Sequence, residues 1–417
     1  MKHYQIVILG SGISGVAFAR LLQQAGLHDF VLLEAASEAG GLCRTRQIDG
    51  HWLDIGGGHF LCTKYPQVYD FVFAHLPQSE FNFFPRVSKL AIEGHEIDYP
   101  IESNLWQLPM ALQTEFLNSV LQNGESRGLP APQHFEDWIR WKLGDRIADS
   151  YMLPYNTKIW GVSPQELDID WLSKIPRLNL EEIVAACRNQ QAPVGKMPSH
   201  EGFYYPKQGG FQTVFDAIAR PVQDQILLNT PVTDLAIAGE KIIVNGSYEA
   251  TIVVNTIPWS KLKFDLDLPE FISSSIAQLQ HNSITVSLHE QARHPTAHWR
   301  YEPDLNLAHH RRFFIHNFAP HSLENGVYFE TNQKRWSEPN DALYFHHNEY
   351  AYPIPTLGRA QAIDRVLSYM SDRRIFGLGR WGQWQYFNSD VCIWEAMKLF
   401  RSLFQPVPTT PSLSNIS

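Results

Sequence analysis

The chain has 417 residues, of which 44% are hydrophobic and 18% charged, a balance typical of a globular protein with two or three core-forming units. Its net charge of −9 argues against nucleic acid as the main partner, because binding a phosphate backbone requires a basic face. No apolar run is long enough to span a membrane, and the chain opens with a strand instead of a signal-peptide pattern, so we expect a cytoplasmic location.

The cysteines and histidines give no sign of a disulfide framework or a metal site. The four cysteines are scattered along the chain, which favours reduced thiols. The pairs His309-His310 and His346-His347 have no Cys, His or carboxylate partner at a ligand spacing. We therefore expect no bound metal.

The first predicted elements form a strand, a turn and a helix of the kind that binds dinucleotides. A strand over residues 4–9 runs into the segment GSGISG at residues 10–15, a helix follows, and Glu34 ends the next strand. The three glycines permit a tight turn, close approach of a pyrophosphate, and close packing of helix on strand. The helix N-terminus favours the phosphate charge, and Glu34 would bind a ribose. The alternative is a glycine-rich turn that binds nothing.

A second glycine cluster indicates which dinucleotide is bound. Residues 38–45 read EAGGLCRT, and residues 54–59 read DIGGGH. NAD-dependent dehydrogenases lack this cluster, whereas it resembles the amine-oxidase-like FAD superfamily, in which the first segment covers the pyrophosphate and the second runs beside the flavin. The resemblance implies FAD as the cofactor. Together with the first turn it implies these cofactor-binding residues: Gly10, Gly12, Ile13, Ser14, Gly15, Glu34, Ala35, Gly41, Leu42, Arg44, Gly57, Gly58, His59, Val232, Gly379, Arg380, Tyr386 and Asn388.

The remaining elements predict an α/β fold with a discontinuous Rossmann-like FAD-binding domain over residues 1–84, 204–262 and 360–403. Strands near residues 226–229 and 251–258 return to the first sheet. Apolar residues at helical spacing, interrupted by Gly144, predict a helical insertion over residues 105–200. Alternating segments predict an antiparallel sheet domain over residues 85–104 and 263–359, and the Pro-rich residues 404–417 an irregular tail.

The middle of the chain carries the most specific pattern. Residues 135–139 read FEDWI, residues 144–148 read GDRIA, and residues 153–162 read LPYNTKIWGV. These segments, with the GRWGQWQY segment at residues 379–386, resemble the UDP-galactopyranose mutase family, and its eukaryotic branch more than the bacterial one. The resemblance spans nearly the whole chain.

This resemblance implies an intramolecular transferase that interconverts the pyranose and furanose forms of a nucleotide-diphosphate sugar. The N5 atom of reduced FAD would be the nucleophile at the anomeric carbon, with no net redox change and NAD(P)H as a candidate reductant. A homo-oligomer remains open. The alternative is an FAD-dependent oxidase or desaturase of the protoporphyrinogen-oxidase or amine-oxidase type, and a weaker third reading is a protein that only binds a nucleotide sugar.

The resemblance also implies roles for site residues. Arg311, six residues before Asn317-Phe318-Ala319-Pro320, would grip the diphosphate, because a guanidinium meets phosphate oxygens in two bonds, while Arg312 would point the other way. A surface ion pair is the alternative for Arg311. The second cation would be Lys174 or Arg177. His59, Arg311 and Arg380 are the implied catalytic residues, and the implied substrate-binding residues are Tyr99, Glu102, Trp160, Arg177, Tyr301, Arg311, Tyr352 and Tyr386.

One residue departs from the family pattern. The eukaryotic mutases have a glutamine that touches uracil where this chain has Glu102. A carboxylate accepts hydrogen bonds but cannot donate them, so the base or the nucleotide could differ.

Overall fold

The computed structural model describes residues 1–172, 179–193, 201–265 and 268–405. Its strands, in chain order, are β1 Lys2–Leu9, β2 Phe30–Leu33, β3 Thr45–Ile48, β4 His51–Asp54, β5 Phe81–Pro85, β6 Ser88–Ile92, β7 His95–Asp98, β8 Gly202–Pro206, β9 Ile226–Leu227, β10 Asp234–Ala238, β11 Lys241–Val244, β12 Tyr248–Asn255, β13 Lys263–Asp265, β14 His281–Glu290, β15 Trp299–Tyr301, β16 Arg311–Phe314, β17 Gly326–Asn332, β18 Tyr344–Pro353 and β19 Ile375–Gly377.

The α-helices of the same residues are α1 Ile13–Gln24, α2 Pro66–His75, α3 Ile101–Asn104, α4 Met110–Leu121, α5 Phe135–Leu143, α6 Asp145–Ile147, α7 Leu153–Trp160, α8 Leu180–Asn189, α9 Gln212–Ala219, α10 Glu270–Ala277, α11 Arg359–Ser371, α12 Gly379–Gly382 and α13 Ser389–Phe404. None of these helices has both the length and the apolar character needed to cross a membrane.

The first sheet has the strand order β13-β10-β11-β12-β1-β2-β9, and β19 pairs with β12. Strand β1 lies in its middle and runs parallel to both β12 and β2, with Ile6 opposite Ile252 on one side and Phe30 on the other. The buried half of β1 is an unbroken apolar run, as expected of a strand covered on both faces. Strands β9 and β12 return to this sheet, and the α/β fold class is confirmed.

The second sheet has the order β18-β14-β17-β16-β15-β6-β7. Its pairs are antiparallel except for β15 with β6, which run parallel. The two strands of that pair lie far apart in the chain, with the helical segment between them, so no tight turn forces them to be antiparallel. The sequence pattern predicted an antiparallel sheet and did not reveal this one pair.

The helices between the two parts of the second sheet pack on that sheet. Phe135, Ile139 and Ile147 are fully buried in one core with Leu90 of β6 and Ile97 of β7. The predicted interruption falls at residue 144, where α5 has ended. Its φ is 80°, and a Cβ there would lie 2.5 Å from a backbone oxygen, so the position requires glycine.

Two elements belong with the first sheet, although we expected the segment that contains them to form the second sheet. Strand β13 pairs with β10 in the first sheet, and Ile272 of α10 is buried in the core that covers β1. Both fall within residues 263–359, the segment expected to form the second sheet. The domain limits otherwise stay predictions.

Candidate functional site

Three cavities share lining residues and therefore form a row. The first, which we call the dinucleotide groove, follows the turn after β1, has a volume of about 460 Å³ and is lined by residues that include Gly10, Gly12, Ile13, Ser14, Glu34, Ala35, Gly41, Leu42, Arg44, His59, Arg380 and Ser389. The central cavity has a volume of about 220 Å³ and is lined by residues that include Gly58, His59, Arg86, Tyr99, Trp299, Tyr301, Arg311, Tyr352, Arg380, Tyr386, Asn388 and Ser389. The aromatic pocket has a volume of about 150 Å³, and its lining includes Tyr99, Glu102, Tyr151, Tyr155, Trp160, Trp171, Tyr301, Arg311 and Tyr386.

The dinucleotide groove has the features that a pyrophosphate and a ribose require. Helix α1 starts directly after Gly12, and no side chain caps its first turn, so its backbone N–H groups can face an anion. The carboxylate of Glu34 lies at the end of the neighbouring strand and accepts hydrogen bonds from the N–H and the hydroxyl of Ser11, at 2.9 and 2.8 Å. These features fit a dinucleotide such as FAD.

Gly15 allows helix α1 to approach β1 closely. A Cβ atom at Gly15 would lie 2.5 Å from the carbonyl oxygen of Gly10, a distance that real Cβ atoms essentially never show. The third glycine of the motif is thus required for packing and does not line the groove.

The expected cofactor residues Gly58, Tyr386 and Asn388 line the central cavity instead of the groove. Three others line none of the three cavities. Gly57 lies beside Glu330, and Gly379 lies beside Ser14. The side chain of Val232 is 8% exposed and packs in the core of the first sheet, so any contact it made with a cofactor would have to use its backbone.

The central cavity is positively charged although the whole chain is acidic. Among the residues that the structure describes, its lining contains Arg86, Arg311 and Arg380 and no Asp or Glu. Arg380 donates hydrogen bonds to the carbonyl oxygens of Ala351 and Phe387, both at 2.8 Å, and within the described ranges no carboxylate lies within 4 Å of it. A half-buried cation that is not neutralised attracts an anion, so the cavity suits a phosphorylated ligand.

Arg311 is held by a carboxylate from the adjacent strand. In the register of β16 with β17, Arg311 lies opposite Glu330, and its Nε and Nη2 lie 2.7 and 2.5 Å from Glu330 Oε2. Burial opposes ionisation of Glu330, but Arg311 and then His310 outweigh it and lower the pKa of this carboxyl to about 2. Burial also opposes the charge on Arg311, and Glu330 outweighs it, so the pKa of the guanidinium is raised well above its usual value.

Glu330 also connects Arg311 to the glycine loop beside the groove. Its second oxygen, Oε1, accepts a hydrogen bond of 3.1 Å from the backbone N–H of Gly58. One buried carboxylate therefore fixes both a central-cavity cation and the loop that carries His59.

His59 is neutral at the junction of the groove and the central cavity. Burial lowers the pKa of its imidazole to about 4. Its Nδ1 lies 2.9 Å from the carbonyl oxygen of Gly57, which places the proton on Nδ1 and leaves Nε2 as an acceptor. The Nε2 atom of His59 can therefore accept a hydrogen bond, and the neutral ring adds no positive charge to the cavity.

Tyrosine side chains form the walls of the central cavity and the aromatic pocket. Tyr352 is 8% exposed. The guanidinium carbon of Arg380 lies over the ring of Tyr352, 5.2 Å from the ring centroid. The hydroxyl of Tyr301 accepts a hydrogen bond of 3.1 Å from Arg86. The rings of Tyr352 and Tyr386 meet edge to face at 4.9 Å, and burial raises the pKa of both, so both remain neutral donors.

Trp160 separates the aromatic pocket from the core behind it. It is 1% exposed, donates from Nε1 to Asn156 at 3.1 Å, and meets the rings of Trp171 and Tyr386 edge to face. The pocket thus offers flat apolar walls with Arg311 at one end, an arrangement that suits a base attached to a diphosphate.

The sequence pattern did not reveal three of the residues placed here. Arg86 precedes β6 in no recognisable motif, and it lies over the rings of Tyr99 and Trp299 because β6 pairs with β15. Tyr155 lies within the segment LPYNTKIWGV at residues 153–162, and Glu330 within the region predicted to form the antiparallel sheet, but neither was assigned a role. Register and packing alone bring them to the site.

Arg177 and its alternative Lys174 lie outside the described residues.

Comparison with known proteins agrees with this geometry. Residues 8–74 match the model of the NAD(P)-binding Rossmann-like domain, and residues 170–312 match that of flavin-containing amine oxidoreductases. A protein from Klebsiella pneumoniae described as a probable UDP-galactopyranose mutase is 22% identical, over 95% of this chain and 94% of its own. A dTDP-fucopyranose mutase from Escherichia coli is 24% identical, over 43% of this chain and 48% of its own. A solved structure of a reduced UDP-galactopyranose mutase superposes with a TM-score of 0.85 at 21% identity, covering 96% of this chain and 93% of that one.

The chain is similar over nearly its whole length to UDP-galactopyranose mutases. The expected resemblance to the family is thereby confirmed, whereas the expected closeness to its eukaryotic branch stays a prediction. The match to flavin-containing amine oxidoreductases implies a flavin site.

Proposed function

We propose that this protein is a flavin-dependent nucleotide-sugar mutase that interconverts the pyranose and furanose forms of a sugar bound to a nucleoside diphosphate. The observation that carries the proposal is the position of Arg311. It lines both the central cavity, which meets the dinucleotide groove at His59 and Arg380, and the aromatic pocket. A diphosphate held there would have its sugar toward the groove and its base among aromatic rings.

Each side chain of the central cavity has a task in such a reaction. Arg311 binds the diphosphate and stabilises the charge that develops when it leaves the sugar. Its Nη1 has no hydrogen-bond partner within the described part of the chain, so it is available to phosphate oxygens. The hydroxyls of Tyr301, Tyr352 and Tyr386 donate to the same oxygens, and Arg380 adds a second fixed charge.

FAD in its reduced form would supply the nucleophile, its N5 atom, with NAD(P)H as a candidate reductant. The protein groups keep the sugar beside that atom and exclude water from it. His59 remains uncharged and held to Gly57, so it can accept a hydrogen bond at the junction without repelling Arg380.

A net oxidase of the amine-oxidase type is the second candidate, because residues 170–312 match flavin-containing amine oxidoreductases. Within the described part of the chain, three arginines and no Asp or Glu line the central cavity, which argues against an amine oxidase, since an amine substrate is a cation and would be repelled there.

The test is to incubate dithionite-reduced protein with a panel of nucleotide sugars, including UDP-galactose, and to separate ring-size isomers by chromatography. We expect a furanose isomer from at least one of them. Oxygen consumption with hydrogen peroxide release, and no isomer from any sugar, would support the oxidase instead.

A further inference from the structure

Glu102 is a buried carboxyl at the lining of the aromatic pocket, and one of its two oxygens has no hydrogen-bond partner in the described part of the chain. It belongs to α3, is 3% exposed, and lines the pocket together with Tyr99, Tyr151 and Trp160. Its Oε1 atom is buried and has no hydrogen-bond partner within the described ranges. A buried polar atom without a partner is costly, and a ligand that supplied the missing hydrogen bond would remove that cost.

No cation neutralises this carboxyl among the residues that the structure describes. The charge of Lys142 lowers the pKa of Glu102 slightly, but the Nζ of Lys142 is hydrogen bonded to Glu125 at 2.6 and 2.7 Å. Arg311, across the pocket, is already paired with Glu330. The other titratable groups that influence Glu102 are the phenols of Tyr99 and Tyr151, whose raised pKa values keep them neutral.

Burial therefore favours the protonated form. Desolvation raises the pKa of Glu102 to about 7, against the smaller opposing effects of its own backbone N–H and of Lys142. At neutral pH a large share of the molecules carry a carboxylic acid here.

The protonation state decides which ligand edge Glu102 can bind. A carboxylate only accepts hydrogen bonds, and so would match two adjacent N–H groups, such as those of guanine. A neutral acid offers one donor and one acceptor side by side, as an amide does. This pattern matches a ring carbonyl next to an N–H, the edge that uracil and thymine present.

We propose that Glu102 binds the nucleobase as a neutral acid, its hydroxyl donating to a ring carbonyl and its carbonyl oxygen accepting from the adjacent ring N–H of a uracil or thymine nucleotide. The inference rests on the proposed function, because it requires a nucleotide in this pocket. The new element is that substrate binding depends on the protonation of one side chain, which lies at the base and apart from the sugar.

The test measures the dissociation constant of UDP-galactose for the FAD-containing protein by calorimetry from about pH 6 to about pH 8.5. This ligand has no phosphate group that titrates in the range. If only the acid form binds, the apparent affinity falls roughly 30-fold from about pH 6 to about pH 8.5, in proportion to the protonated fraction of a group with a pKa of about 7. Glu102→Gln keeps the donor and acceptor without titrating, so its affinity should match the acidic limit of the natural protein and stay constant with pH.

A second measurement reads the proton directly. Infrared difference spectra of the natural protein, with and without UDP-galactose, should show a protonated carboxyl band that shifts on binding and is missing in Glu102→Gln. The calorimetric pH dependence and the shift of the carboxyl band are both measured on the natural protein, so poor folding of Glu102→Gln would leave the inference testable.

A flat or rising affinity toward alkaline pH, or tighter binding of GDP-mannose than of UDP-galactose that Glu102→Gln abolishes, would overturn the inference and indicate a carboxylate. In that case the proposed function would survive, since a nucleotide still binds. Failure to bind any nucleotide sugar at any pH would overturn both.

Discussion

Replacing Glu330 by glutamine should make this protein unusually dependent on an anionic ligand for its stability. The change is isosteric and removes one negative charge from a buried site. Arg311 then keeps its positive charge in the central cavity without a counter-ion. A bound diphosphate would restore the missing charge, because it lies on the same guanidinium in the proposed complex.

The size of the effect follows from the geometry. Breaking a buried ion pair by removing one partner costs about 3–5 kcal/mol, and the contacts of 2.5 and 2.7 Å place this pair in that class. The lowered pKa of Glu330, about 2 against an ordinary 4.5, corresponds to about 3 kcal/mol and agrees with this range. For a chain of 417 residues that unfolds as one unit, the melting temperature should fall by about 3–6 °C.

Thermal unfolding of the FAD-containing protein, with and without a saturating nucleotide-diphosphate sugar, measures both parts of the prediction. Glu302→Gln is the matched control. Glu302 is equally buried and pairs with Arg300 and Arg312 at 2.7 and 2.6 Å, but none of these three residues lines the central cavity.

Both variants should be destabilised without ligand. The ligand should raise the melting temperature of Glu330→Gln by several degrees more than that of Glu302→Gln. Equal ligand responses in the two variants would refute the reasoning, because the uncompensated charge would then not be where the diphosphate binds.

Three further predictions concern the same architecture. Arg311→Ala should leave the flavin content intact and lower turnover at least tenfold, since a charge-assisted hydrogen bond contributes about 1.5–3 kcal/mol; Arg312→Ala on the other face of β16 should retain most activity, and equal losses in both would exclude a specific clamp. Gly15→Val should reduce bound FAD per purified chain well below that of the natural protein, because its Cβ would meet the oxygen of Gly10, and a full flavin complement would contradict this packing. The stabilisation from Glu330 should be fully present above about pH 4.5 and be lost as the pH falls toward about 2, so acid unfolding of Glu330→Gln should be less steep in that window, and identical profiles would count against the lowered pKa.

The sequence reveals those parts of the site that local pattern determines. The glycine turn and Glu34 lie within one strand-helix-strand unit, so their spacing alone places them together. Arg311 could be predicted because a turn of recognisable residues follows it at a fixed offset. Both are short-range features of the chain.

The rest of the site depends on pairing between distant segments. Glu330 reaches Arg311 only through the antiparallel register of β16 and β17, and Arg86 reaches Tyr301 only through the parallel pair of β6 and β15. No local pattern in one chain encodes such registers. The same limit explains why residues 263–265, which form β13, were expected in the second sheet although they pair with β10 of the first.

The most direct test of the proposed reaction follows the redox state of the flavin and the amount of sugar product in the same experiment. The protein is reduced once under anaerobic conditions, the excess dithionite is removed, and a large excess of UDP-galactose is added. The account predicts many ring-isomerised sugars per flavin while the absorption spectrum remains that of the reduced flavin. Return of the oxidised spectrum with no more than one altered sugar per flavin, and no ring isomer, would contradict it.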